Sequence, residues 1–265
     1  MNMDTRLGVS SACYYPLETE KSLEIAGEYG FKNSELFLNS LSELEDSFVD
    51  ELKRIRDKHE MNIVSVHPFQ SFAESFYLFS NYERRWHDIL PLYDRMFKVT
   101  SMLGADVFVF HGAKIPGSID DEEYCRRFHH LIKMGADYGV RVCHENVVKH
   151  RSESPAYLKM MADYIGEDFK VVFDTKQAFR AGFCYEDFFK DLSDRIVHIH
   201  ISDRNSDKDC IPPLTGDFDF ETFFRRTKEI GYKGNFIIEL YRWSYDEYDD
   251  VRKSYDNVKK LLTTL

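Results

Sequence analysis

Residues 170–177 read KVVFDTKQ and residues 196–203 read IVHIHISD. Each is a short run rich in β-branched residues that ends on a side chain able to bind a metal, as a strand does when it runs into a functional loop. Working outward from these two, six more runs of the same kind appear: Leu7 to Ser10, Ser34 to Leu38, Asn62 to His67, Asp106 to His111, Val140 to Glu145 and Asn235 to Leu240. A stretch of helical period follows each one. LETEKSLEIAGEYG ends on Gly30 and EYCRRFHHLIKMGADYG on Gly139, glycine standing where a helix end needs positive φ. The alternation predicts parallel strands joined by crossover helices, and eight such units predict a closed (β/α)₈ TIM barrel of the α/β class, one domain spanning the 265 residues. A doubly wound open sheet is the alternative. It usually carries a glycine-rich phosphate loop after its first strand, whereas here that strand runs into SSACYYPLE.

The formal net charge of −11, with no Lys/Arg run to offset it, argues against nucleic acid as a partner. Five widely spaced cysteines without a C-x-x-C pair fit reduced thiols, so no disulfide is expected. The start, MNMDTRLGVSSACYYP, has no apolar core before a cleavage site, and no run of about 18 apolar residues occurs. These features predict a soluble, unprocessed cytoplasmic protein with no membrane contact.

Residues able to bind a metal stand at the C-terminal ends of six strands: His67 in SVHPF, His111 in FVFHGA, Glu145 in VCHENV, Asp174 in VVFDTKQ, His200 in HIHISD and Glu239 in FIIELY. In a closed parallel barrel those ends converge on one face. Side chains at i and i+2 share a side of the sheet, so Val172 and Asp174 look inward while Val171 and Phe173 face the helices, and His198 and His200 both point into the barrel, one layer apart. Alone, a strand-end carboxylate is more often a loop cap, and a strand histidine more often a satisfied core group. Together, three carboxylates and a histidine at one rim would repel and suffer desolvation unless a cation compensates them or one carboxylate takes up a proton, and a bound cation is the simpler account. Hard oxygen ligands with one imidazole suit one divalent ion, Mn²⁺, Mg²⁺, Co²⁺ or Zn²⁺; ligand type alone does not choose among them, and Mn²⁺ is the preferred expectation.

The segments FDTKQ, HIHISD followed by GDFDF, and IIEL resemble the xylose isomerase-like barrel superfamily, from Leu7 to about Tyr241. That superfamily includes D-tagatose 3-epimerase, inositol-catabolism isomerases and dehydratases, and endonuclease IV. The resemblance implies that Glu145, Asp174, His200 and Glu239 hold one cation. It also implies a sugar or polyol substrate, deprotonated next to a metal-held carbonyl through an enediolate, with Glu145 and Glu239 as base and conjugate acid. Many relatives carry D-x-x-H on strand 6; here Gln177 takes the histidine position. Endonuclease IV is similar at His67 and His111 as well, but its third zinc needs that missing histidine and a further one after strand 7, where this chain reads SDKDCIPP. A three-zinc nuclease is therefore disfavoured, and a keto-inositol-type dehydratase is the nearer alternative.

Further expectations concern the surroundings. His67, His111 and Gln177 are expected to contact substrate hydroxyls, the two histidines with Glu145 forming an alternative second metal site. Lys176 and Arg204 are candidates to bind a phosphate or carboxylate, and Glu35, inward on strand 2, to bind a hydroxyl or pair with a neighbouring base. Asp219 in GDFDF is read as the N-cap of the last helix. The aromatic segment SFAESFYLFSNYERRW is read as a wall of the pocket. A homo-oligomer is open.

Overall fold

The computed structural model describes residues 3–68 and 71–265. Eight parallel strands close in sequence order: β1 (Leu7–Ser10), β2 (Asn33–Leu38), β3 (Asn62–Pro68), β4 (Val107–Phe110), β5 (Arg141–Glu145), β6 (Lys170–Asp174), β7 (Ile196–Ile201) and β8 (Asn235–Ile238). Closure is made by β1 against β8, where Leu7 pairs with Phe236 and Val9 with Ile238. The helices are α1 (Thr19–Glu28), α2 (Asp46–Lys58), α3 (Ser71–Tyr77), α4 (Glu83–Met102), α5 (Asp121–Ala136), α6 (Pro155–Ile165), α7 (Thr175–Arg180), α8 (Tyr185–Leu192), α9 (Phe220–Glu229) and α10 (Tyr248–Thr264). The barrel expected from the strand–helix alternation is therefore the fold observed.

Alternation along the strands sorts the core into two layers. Outward residues such as Phe108, Phe110, Val171 and Phe173 join Phe128, Phe188 and Phe223 from the helices in one continuous cluster. Each buried phenylalanine contributes about 1.5–3 kcal/mol by leaving water. Inward residues Val107, Val109, Cys143 and Val172 form a separate small cluster inside the barrel. Above that plug the inward positions turn polar, and most of the polar groups there find partners, although Glu35 Oε1, His67 Nδ1 and His198 Nδ1 are buried without a hydrogen bond.

Two strands are shorter than the sequence pattern suggests. His111 and Glu239 each stand one residue past the end of β4 and β8, although the Glu239 N–H still donates to Ile201 O at 3.2 Å. The chain stays close to the ladder, so both side chains remain at the rim. Gly30 and Gly139 do take positive φ, 76° and 72°. Asp219 does cap a helix, accepting from Thr222 N at 3.0 Å, but that helix is α9 and α10 follows it. The five cysteines are unpaired, and no helix of the described residues is long and apolar enough to cross a membrane.

Gly112, directly after His111, has φ 78°, and a Cβ there would meet the Tyr124 hydroxyl at 2.1 Å and His144 Nε2 at 2.6 Å. Gly112→Ala is expected to cost about 2–4 kcal/mol, strain and overpacking combined, read as a lower urea midpoint at unchanged slope.

Candidate active site

The strand ends open onto a cavity of about 530 Å³ whose floor includes His67, His111, Glu145, Lys176 and Glu239. Glu145 and Asp174 are the last residues of β5 and β6, His200 the last but one of β7. One ligand atom from each of Glu145, Asp174, His200 and Glu239 falls within 4.8 Å of all the others. His200 Nδ1 is the hub: it lies 3.1 Å from Glu145 Oε1, 3.6 Å from Glu239 Oε2 and 3.8 Å from Asp174 Oδ2. The other ring nitrogen, Nε2, is 3.0 Å from Glu35 Oε2. A carboxylate on the far nitrogen is how a metal-binding imidazole is fixed in tautomer and orientation.

A second group adjoins the first. His111 Nε2 is 2.8 Å from His67 Nε2 and 2.7 Å from Glu145 Oε2. His67 Nε2 in turn lies 3.9 Å from Glu145 Oε2 and 4.0 Å from Glu239 Oε1. His67 thus sits between the two glutamates, and His67, His111 and Glu145 also bring ligand atoms within 4.8 Å of one another.

Cations already present in the chain balance this charge. Lys176 is 2% exposed; its ammonium reaches Glu239 Oε2 at 2.7 Å and also holds Asp174 Oδ2. Burial pushes the Lys176 ammonium down, but Asp174 and Glu239 more than offset that and hold it well above the usual lysine range. Burial likewise pushes Glu145 up, and His111 and His200 bring it well below the carboxylate range. Glu239 is lowered too, Lys176 and His200 outweighing burial. Asp174 goes the other way, to about 6: burial dominates, and Glu145 and Glu239 oppose the pull of Lys176. His200 is raised well above its usual range against burial, chiefly by Glu35 and Glu239.

The donor set fits a divalent cation. It offers three carboxylates and an imidazole nitrogen whose partner nitrogen is anchored. Each carboxylate oxygen has two lone-pair sites, so Asp174 and Glu239 can serve Lys176 and a cation together.

The structure brings six of the expected residues to the rim together, His67, His111, Glu145, Asp174, His200 and Glu239, and refines the rest. Gln177 lines the cavity; its Oε1 accepts from Val148 N at 3.2 Å, which leaves the amide NH₂ as its donor end. Lys176 is an interior counter-charge for two carboxylates rather than a free anion binder. Glu35 does not contact the cavity: it is fully buried, and its Oε2 takes Ser65 at 2.7 Å, His198 at 3.1 Å and His200. Of the two expectations, pairing with neighbouring bases is the one the structure displays. Arg204 is exposed outside the cavity and stacks on Phe179 at 4.3 Å. Of the SDKDCIPP stretch, Asp209 pairs with Arg180 and Cys210 is buried, and neither joins the ligand groups.

The segment SFAESFYLFSNYERRW is not the cavity wall among the described residues. Phe79 stacks on Tyr124 at 4.0 Å and Trp86 meets His130 at 5.5 Å, as ordinary helix packing, while the Phe72 side chain lies outside the described residues. The aromatic wall is instead Tyr15, Phe37, Tyr241 and Trp243, from the β1, β2 and β8 ends. Sequence reasoning also missed Glu74, a fully buried carboxylate whose Oε2 accepts from Gly112 N at 2.6 Å. Its only signal is a lone acid inside an aromatic run.

The chain belongs to the xylose isomerase-like TIM barrel family, whose model matches residues 23–261. The solved structure of a D-tagatose 3-epimerase-like protein is 22% identical with a TM-score of 0.79, covering 98% of this chain and 97% of that one. L-ribulose 3-epimerase is 14% identical with a TM-score of 0.80, covering 98% and 95%. The IolI protein, solved with a zinc atom bound, is 18% identical with a TM-score of 0.72, again covering 98% and 95%. At such identities the likeness carries the fold.

Two outcomes follow from the charge balance. Lys176→Met strips Asp174 and Glu239 of their buried partner and is expected to cost about 3–5 kcal/mol of unfolding free energy in EDTA, checked by urea denaturation. Burial lifts Glu74 to about 7 against the pull of His111 and the Gly112 N–H, while the unfolded carboxyl titrates near 4.5. The folded state therefore holds that proton more tightly: the contribution to stability is full below the lower value and is lost as pH rises through the upper one. Stability measured across that window should fall less steeply in Glu74→Gln than in the parent.

Proposed function

We propose that the protein is a metal-dependent sugar isomerase or epimerase that removes a proton from the carbon beside a carbonyl and returns it. One observation carries the proposal: two ionised carboxylates, Glu145 and Glu239, meet the same cavity floor from strands three places apart around the barrel, with His67 Nε2 about midway between them at 3.9 and 4.0 Å. A hydroxy-ketone lying between such groups can lose its C–H proton to the ionised Glu239, and the planar enediolate so formed can regain one from Glu145 once His111, 2.7 Å from Glu145 Oε2, has passed its own proton there, which is what inversion requires.

Glu145, Asp174, His200 and Glu239 would hold one divalent ion, Mn²⁺ first and Zn²⁺, Co²⁺ or Mg²⁺ as alternatives. When bound, such an ion supplies Lewis acidity that makes the adjacent C–H acidic. The chain's own residues do the rest. Glu239, 13% exposed against 1% for Glu145, is the more open base, and Lys176 keeps it ionised. Glu145 is the conjugate acid on the other side, with His111 beside it. His67, His111 and the Gln177 amide would orient substrate hydroxyls. Enclosure by the aromatic wall keeps bulk water from quenching the intermediate. The epimerase named among the structural neighbours and the zinc found in IolI support this reading.

The test is solvent-proton exchange. The Mn²⁺-loaded protein, incubated with a panel of ketoses in deuterated water, should label the carbon next to the carbonyl. Glu145→Gln and Glu239→Gln should each lower labelling by about 100-fold or more with unchanged circular dichroism. Elemental analysis should find one cation per chain. Labelling that survives both substitutions removes the acid/base assignment, and product analysis separates an isomer from a dehydrated compound.

A further inference from the structure

The outer half of the cavity is built unlike its floor. Tyr15 after β1, Phe37 in β2, and Tyr241 and Trp243 after β8 come from three neighbouring strands and line the cavity as two aromatic pairs, Tyr15 on Phe37 with centroids 6.1 Å apart and Trp243 on Tyr241. The Trp243 indole is 75% exposed yet held in place: it stacks on Tyr241 with centroids 4.7 Å apart and planes 11° from parallel. The Tyr241 hydroxyl accepts from Arg180 Nη1 at 2.9 Å, and Arg180 is fixed by two hydrogen bonds to Asp209. Arg242, between the two rings in sequence, donates to Tyr245 O and Asp246 O, each at 2.9 Å. A large apolar ring presented to water on a braced support, at the mouth of a cavity, is a surface built to be covered.

Size and charge narrow what covers it. At roughly 30 Å³ per water, 530 Å³ holds about eighteen water-sized units. A hexose has roughly twelve non-hydrogen atoms, which pack more tightly than waters because they are bonded. A single sugar seated against the floor therefore leaves at least about a third of the cavity unfilled, on the side where Trp243 stands. Among the lining residues beyond the floor the one charged side chain is Arg242, and its guanidinium is committed to two backbone carbonyls and to the rings of Tyr245 and Tyr248. Lys176 is likewise committed, to Asp174 and Glu239. Among the described lining residues no lysine or arginine other than these two is present, and both are turned to partners within the protein, which favours a neutral occupant of the outer half.

We infer that the substrate is a disaccharide whose keto sugar meets the floor and whose second ring lays its apolar face on Trp243. The inference rests on the sugar isomerase or epimerase reading and adds the substrate class. Pyranose rings present C–H groups on one face, and an aromatic ring accepts that face while hydroxyls at the ring edge stay in water.

The chain has two tryptophans, and Trp86 is 4% exposed, so emission at long wavelength reports Trp243. The Mn²⁺-loaded protein is titrated with lactulose and isomaltulose, and with fructose and tagatose as single-sugar controls. The disaccharides are expected to shift Trp243 emission to the blue and to bind about tenfold more tightly than the controls. By calorimetry, Trp243→Ala should erase that preference and Trp243→Phe keep most of it. Because the side chain is exposed, neither variant should move the unfolding midpoint. Equal affinity for both classes, or an equal loss for both in Trp243→Ala, overturns the inference. Deuterium exchange with fructose but not with either disaccharide also overturns it while leaving the isomerase or epimerase reading intact; exchange with neither class removes both.

Discussion

Four carboxylates, Glu35, Glu145, Asp174 and Glu239, are drawn by barrel closure to one end of a narrow interior, and the site depends on how that charge is balanced. At the 4.8 Å that bounds the ligand-atom separations of Glu145, Asp174 and Glu239, two unit charges at an effective dielectric constant of about 20 repel by about 3–4 kcal/mol. Unopposed, several such pairs would consume much of the stability of an ordinary domain. The fold can hold them only by placing cations or protons among them.

It does so in two ways that a metal ion would rearrange. Lys176 is a permanent counter-charge: its high proton affinity means it stays an ammonium between Asp174 and Glu239. His200 and His111 are conditional ones, raised by the same carboxylates they neutralise. A ligating imidazole must be neutral at the bonding nitrogen, so a cation that takes His200 Nδ1 displaces a proton from it. Glu35 then has a second purpose, because a hydrogen bond to His200 Nε2 keeps the remaining ring proton on the far side. His198, one layer down on the same Glu35 oxygen, is lowered by burial and stays neutral, so the plug beneath the site carries no further charge.

Much of this was legible in the sequence because it follows from parity and position. KVVFD and IVHIHI alternate cleanly, so the inward residues could be named, and strand ends in a parallel barrel share a face whatever the loops do. What could not be read depends on how loops fold back. Lys176, two residues past a strand end, reads as a cation open to a phosphate or carboxylate; the short α7 that Asp174 caps turns it inward over Tyr241 instead. Arg204 sits in a loop that carries it outside the rim. The aromatic wall was assigned to residues 71–86 on composition alone, whereas the side chains that line the cavity come from short segments, Tyr15 and Tyr241 to Trp243, with no periodicity to mark them. Glu74 shows the same limit: an acid in an aromatic helix carries no sign that its partner will be the backbone of Gly112.

The two glutamates also differ in what their neighbours can do with a proton, and the difference bears on the direction of the proposed chemistry. Glu145 stands beside His111, which is itself 2.8 Å from His67, so a proton on Glu145 has imidazole nitrogens to move along. Glu239 stands beside Lys176, which is already fully protonated and can accept nothing. On the proposed reading a proton taken by Glu239 is readily given up, because Lys176 favours the ionised carboxylate and Glu239 is the more exposed of the two, whereas one delivered by Glu145 is replenished through the histidines. The cavity is then asymmetric in exchange as well as in charge: the β8 side sheds the substrate's proton and the β5 side renews its own. Such a site returns a different proton from the one it removed, which suits inversion at one carbon better than the suprafacial transfer of a single proton between two.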